Sequence, residues 1–160
     1  MPEVSLAEEI SDMDIAIEPG DAREYELARM RHSCAHLMAE AVQEIFPDAK
    51  FAIGPAIEHG FYYDMELPRP LTPEDLVEIE RRMGSNRAKS EPFVRQVVSR
   101  AEALDIFGSN PYKVELIQGF ADNEEISTFQ VGQFLDLCRG PHVETTAQIG
   151  PFKLQSVAGA

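Results

Sequence analysis

From Ala22 to Phe46 no glycine or proline interrupts the chain, and apolar residues recur at helical spacing. Leu27, Met30, Leu37, Met38, Ala41, Val42 and Ile45 fall on the i, i+3, i+4 pattern of a long helix with one face in a core, and Pro47 stops it. The pattern then changes. Phe51, Ile53 and Ile57 lead into a polar turn at Glu58-His59-Gly60, and Phe61-Tyr62-Tyr63 leads out, which predicts two extended pieces. Thr72-Pro73-Glu74-Asp75 has the chemistry of a helix start, with Leu76, Ile79 and Met83 as its apolar positions and Gly84-Ser85-Asn86 expected to weaken or bend it.

Alternation returns at Phe93–Val98, a predicted strand. Ser99-Arg100-Ala101-Glu102 reads as a capping box that opens a short helix to Phe107. Further strands are predicted at Tyr112–Ile117, Ile126–Val131, Phe134–Leu137 and Phe152–Val157, with turns at 119–123 and at Gly132-Gln133. Helices mixed with short strands and tight turns predict a single α+β domain, its largely antiparallel sheet packed around the long helix. Residues 1–20 are acidic and weakly periodic and end in Pro19-Gly20. They read as a tail, with Asp21 as the helix cap and the domain running over 21–160.

Composition narrows the choices. The 160 residues are 44% hydrophobic, enough for one real core, and no run approaches the roughly 20 apolar residues of a membrane span. The N-terminus lacks the basic start of a secretory signal, and two cysteines do not make a disulfide framework, so a cytoplasmic location is expected. Asp and Glu number 28 against 14 Lys and Arg, a net charge of −14. Binding to nucleic acid by counterion release needs a basic surface, so strong independent RNA binding is disfavoured.

The candidate chemistry lies in two pairs. His32 and His36 are four apart on the long helix, so both imidazoles can face one spot. Cys138 and His142 are also four apart, in a segment that Gly140-Pro141 forces into a loop. Each pair alone more often reflects ordinary packing. Together they account for three of the four histidines and one of the two cysteines, and they form a set that Zn²⁺ accepts tetrahedrally. Four ligands on one ion would close the site, whereas catalysis needs an open position. Either one of the four is not a ligand, or they act directly on substrate. Cys34 faces away from the helical histidines and reads as core, and His59 reads as surface. Asp136 shares a strand face with Cys138, Lys113 opens a predicted neighbouring strand, and Tyr62 and Tyr63 are candidate pocket aromatics.

These residues resemble a known family. Arg31-His32-Ser33-Cys34-Ala35-His36-Leu37, Ala52-Ile53-Gly54-Pro55 and Gly60-Phe61-Tyr62-Tyr63-Asp64 look like the editing domain of bacterial threonyl-tRNA synthetase. So do Pro111-Tyr112-Lys113-Val114-Glu115-Leu116, Asp136-Leu137-Cys138-Arg139-Gly140-Pro141-His142 and the final Phe152-Lys153-Leu154 and Ser156-Val157-Ala158-Gly159-Ala160. The likeness covers about residues 22–160. It implies hydrolysis of a seryl ester at the 3′ end of the transfer RNA for threonine. The implied site residues are His32, His36, Lys113, Asp136, Cys138 and His142. In alanyl relatives the His/His/Cys/His set holds zinc, whereas in the bacterial threonyl domain no metal is expected to be required. The partners implied are the transfer RNA and the remaining domains of a parent synthetase.

The chain departs from the family's pattern where its acidic start replaces a small preceding domain, at Gly84-Ser85 and at its end at Ala160. The expectation is an excised editing domain, with a free-standing deacylase as the alternative. A zinc-binding, non-catalytic RNA-docking module is the rival from another class. It would need a basic stripe built from Arg81, Arg82, Arg87, Lys89, Arg95 and Arg100.

Overall fold

The computed structural model of the chain describes residues 22–157, so the acidic tail and the Asp21 cap lie outside the described residues. Helix α1 spans Ala22–Ile45, as its uninterrupted pattern requires. It differs from the expectation in one respect. His32 to Leu37 are all buried, as are Ala39 to Val42, so the middle of the helix is enclosed on every side rather than on one stripe. The small side chains of Ser33, Cys34, Ala35, Ala39 and Ala41 let neighbouring elements close in around it.

Two short antiparallel pairs follow. Strand β1 (Lys50–Phe51) pairs with β4 (Met65–Glu66), and β2 (Ala56–Ile57) pairs with β3 (Gly60–Phe61) across the predicted turn at Glu58-His59. Helix α2 (Pro73–Ala88) starts where expected and is closed by a capping box, in which Asp75 N–H donates to Thr72 Oγ1 and Thr72 N–H to Asp75 Oδ2. It runs straight through Gly84. A helical glycine costs about 1 kcal/mol, and burial on either side offsets it. Met83 is fully buried, and Asn86 is buried with its amide on Glu44 of α1, 2.5 Å away.

Strands β5 (Phe93–Val98), β6 (Ile126–Val131) and β7 (Phe134–Leu137) form an antiparallel meander in that order, in which Phe129 faces Asp136 and Val131 faces Phe134. The β6–β7 turn places Gly132 at φ +56°, a left-handed conformation that glycine adopts without strain. Helix α3 (Arg100–Phe107) opens on the Ser99–Glu102 capping box.

The segment expected as a strand at Tyr112–Ile117 is helix α4 (Pro111–Gly119). Tyr112, Val114 and Leu116 alternate, but the buried set is Lys113, Leu116 and Ile117, the helical i, i+3, i+4 spacing. Asn110 caps the helix by accepting from Tyr112 N–H at 3.0 Å, with Pro111 at the first position. The Asn110 amide also donates to Phe51 O at 2.9 Å, fixing the helix start to β1.

The last expected strand, Phe152–Val157, has no regular structure. Its backbone is held by a side chain instead, as Leu154 N–H donates to Glu80 at 2.9 Å, while Phe152 and Leu154 pack on the core. The α+β architecture stands, with three small antiparallel sheets. One apolar cluster lies between α1 and α2 and reaches Phe134. A second joins α3 and α4 to Ile126 and Leu137. None of the described helices is long and apolar enough to cross a membrane.

Candidate active site

The two pairs meet at the buried middle of α1. His32 and His36 project from the helix, and the loop after β7 brings Cys138 and His142 against them. The ligand atoms of the four all lie within 4.8 Å of one another. Cys138 Sγ is 3.4 Å from His32 Nε2 and 3.3 Å from His142 Nε2, and it accepts from Gly140 N–H at 3.2 Å. Gly140 makes the bend possible: its φ is +81°, and a side chain there would press on the Phe129 ring.

All three imidazoles are held neutral. Burial lowers His32 to about 4, opposed only by its bond to the Pro141 carbonyl. Burial also pushes His36 and His142 well below the ordinary histidine range, and each is further lowered by its neighbours, His32 and Lys113 for the first and His36 and His32 for the second. Neutral imidazoles accept protons or bind metals. They do not serve as standing acids.

The donor set fits zinc. In a tetrahedral zinc site with the usual bond lengths, sulfur and imidazole nitrogen sit about 3.5 Å apart. The two sulfur–nitrogen distances here, 3.4 and 3.3 Å, are close to that value. His36 Nδ1 is buried with no hydrogen-bond partner among the described residues, so its proton or lone pair goes unmet. Cys34, by contrast, is core: burial pushes its thiol up to about 12.

Beside this cluster lies a buried ion pair. Lys113 Nζ sits 2.8 Å from Asp136 Oδ1 and donates to the Ala52 carbonyl. Asp136 also accepts from Leu137 N–H at 2.8 Å and from the Tyr63 hydroxyl. Contacts and burial pull in opposite directions. Donors on both oxygens favour the carboxylate, while burial raises the Asp136 carboxyl and lowers Lys113 to about 7. The pair holds its charges by mutual contact, and removing either partner strands the other.

His32, His36 and Cys138 of the cluster line one cleft with the ion pair, together with Ala52, Ile53, Gly54, Tyr63 and Gly140, and His142 lies against the Cys138 sulfur. Six of the expected site residues, His32, His36, Lys113, Asp136, Cys138 and His142, are therefore in or against one site. Lys113 arrives from a helix rather than the expected strand. Tyr63 joins them, whereas Tyr62 is 39% exposed and is not among the residues around the cleft. His59 is exposed in its turn, as its position in the sequence suggested.

Four contributors had no readable signal. Ala52 and Pro141 act through their carbonyls, which no sequence pattern marks. Gly54 acts by its lack of a side chain, since a Cβ there would overlap the Tyr63 ring. Ser33 looks like any small helical residue, yet its hydroxyl contacts the His142 ring at 3.0 Å.

The basic stripe required by a docking module is largely occupied within the chain. Arg81 and Arg82 bond Glu78, Arg95 pairs with Glu125, and Arg100 donates to the carbonyls of Ile117 and Phe120.

Residues 126–159 match the family described as the threonyl and alanyl tRNA synthetase second additional domain. The chain is 54% identical over 135 residues to a threonine–tRNA ligase of Dehalococcoides mccartyi, covering 84% of this chain and 23% of that protein. A second strain's ligase is 48% identical over 158 residues, 99% of this chain and 25% of the relative. The ligase of Delftia acidovorans is 54% identical over 134 residues, 82% of this chain and 21% of the relative. The chain is thus similar over most of its length to the threonine ligases, and its residues 126–159 match the second additional domain of threonyl- and alanyl-tRNA synthetases. It spans about a quarter of the length of these relatives.

Proposed function

We propose that this chain hydrolyses the ester of serine wrongly attached to the transfer RNA for threonine, as the proofreading part of a cytoplasmic threonyl-tRNA synthetase. The observation that carries the reading is the shared cleft, in which neutral imidazoles and a thiol stand beside Lys113, Asp136 and Tyr63. Serine and threonine differ by one methyl, and a missing methyl is worth only about 1–3 kcal/mol in a synthetic pocket. A second site that destroys the smaller ester supplies the remaining discrimination.

The chemistry divides between the two halves of the cleft. Asp136 and Tyr63 hold the serine amine and hydroxyl. Lys113 contacts the ester or the terminal ribose and stabilises charge as it develops. Burial lowers its affinity for protons, and its contact with Asp136 holds the charge in place. His32 or His36, kept neutral by burial, orients or deprotonates the attacking water. Cys138 shapes the cleft wall, with His142 against its sulfur. Were zinc bound, three of His32, His36, Cys138 and His142 would hold it with the fourth position open, and it would supply Lewis acidity toward oxygen.

The test is the hydrolysis of seryl-tRNA by His32→Ala and Cys138→Ala proteins. Loss of a positioned acid–base group lowers rates by about 10²–10⁴-fold. Rates unchanged in both variants would remove the site from the mechanism.

A further inference from the structure

Ser33 is fully buried between the two helical histidines, and its hydroxyl has three neighbours. It lies 2.8 Å from the carbonyl of Arg29, one turn earlier on the helix. Val143 N–H donates to it at 2.9 Å, and His142 Nδ1 is 3.0 Å away. A hydroxyl has one proton to give and two lone pairs to receive with. Two oxygens at 2.8 Å need a proton between them, and a carbonyl has none, so the Ser33 proton goes to Arg29 O. One lone pair is taken by Val143 N–H. The contact left for His142 is a bond in which the ring donates.

We propose that Ser33 is a positioning residue that fixes His142 as the Nδ1–H tautomer and thereby aims its Nε2 lone pair at the Cys138 sulfur. The opposite wall works in the same way. His32 Nδ1 faces the Pro141 carbonyl at 3.3 Å, which can only accept, so His32 carries its proton there and also turns an Nε2 lone pair to the sulfur. Helix α1 sets the tautomer of the loop histidine, and the loop sets that of a helix histidine. Neither ring can reverse without breaking a bond to the other element. The result is a sulfur facing two imidazole lone pairs, with a single thiol proton to share between them. That arrangement gives the thiol two routes for its proton and gives a bound cation three donors already turned inward.

The test is a two-bond proton–nitrogen correlation spectrum of the histidine rings in the metal-free chain at neutral pH. This readout uses no substrate. It therefore stands or falls separately from the hydrolytic reading on which the functional importance of Ser33 rests. The wild-type protein is expected to show His142 protonated at Nδ1 and bare at Nε2. A spectrum with the proton on Nε2 overturns the proposal without any variant. Ser33→Ala is expected to show both tautomers and to lose about tenfold or more in seryl-tRNA hydrolysis, the scale of one hydrogen bond to a reacting group. Ser33→Thr, which keeps the hydroxyl, is expected to restore the single tautomer. A Ser33→Ala protein that keeps the pure Nδ1–H form overturns the assignment of the role to Ser33, even if its stability has fallen.

Discussion

Tyr63 donates its hydroxyl to Asp136, and its phenol ring occupies the space that a side chain at position 54 would fill. A glycine in one strand connection is thus what allows a carboxylate on a distant strand to be bonded. Gly54→Ala forces the ring away. Overpacking of this kind costs about 1–3 kcal/mol. Seryl-tRNA hydrolysis by the variant should fall while Tyr63→Phe, which keeps the ring and loses only the hydroxyl, should fall less. Single-turnover rates of the two proteins decide it, and a Gly54→Ala protein with wild-type rate contradicts the role.

Lys113 and Asp136 are each nearly without solvent contact and are bonded to one another. Breaking such a pair by removing one partner costs about 3–5 kcal/mol, because the other charge is left buried. Lys113→Ala and Asp136→Ala should each lower the urea midpoint sharply. The double variant should cost less than the sum of the two. Strict additivity in this cycle would show that the two groups do not depend on one another.

Glu40 of α1 lies buried against Glu91, the residue before Pro92 at the start of the meander. Burial first, then Glu91 and Glu44, push its carboxyl up to about 8, against the opposing charge of Lys89. The folded protein therefore holds a proton that the unfolded chain gives up near the ordinary glutamate value. Stability contributed here is present below about 4.5 and declines as pH rises toward about 8. Glu40→Gln keeps the shape without the charge. It should flatten the decline across that window and stabilise the protein at pH 8, as read by thermal melts at several pH values. An unchanged pH profile contradicts the raised Glu40 carboxyl.

The donor set of His32, His36, Cys138 and His142 should take one metal ion per chain. Cobalt is a suitable probe, because a thiolate ligand gives it an intense charge-transfer band and tetrahedral ligation gives strong visible bands. Titration should saturate at one equivalent, and Cys138→Ser should remove the thiolate band. Absence of binding to the wild-type protein contradicts the fit.

Much of this arrangement is legible in the chain because its determinants are local. The spacing of His32 and His36 on an unbroken helix, the Gly140-Pro141 bend and the two capping boxes each depend on a few adjacent residues. What misleads is where two local signals compete. Tyr112, Val114 and Leu116 alternate like a strand, and only the Asn110-Pro111 start and the burial of Lys113 with Leu116 and Ile117 decide for a helix. Gly84 signals a weakening or bend that packing of Met83 and Asn86 overrides. The enclosed middle of α1 and the contributions of Ser33, Gly54 and the Ala52 carbonyl depend on elements far away in the sequence, and no window of residues contains them.

Proofreading by this cleft is tested most directly by single-turnover hydrolysis of seryl- and threonyl-tRNA for threonine by the same preparation. The account predicts that the seryl ester is cleaved at least about tenfold faster, the equivalent of about 1.4 kcal/mol of discrimination, and that His32→Ala abolishes the difference. Equal rates for the two esters, or a seryl rate no greater than that in buffer, would contradict it.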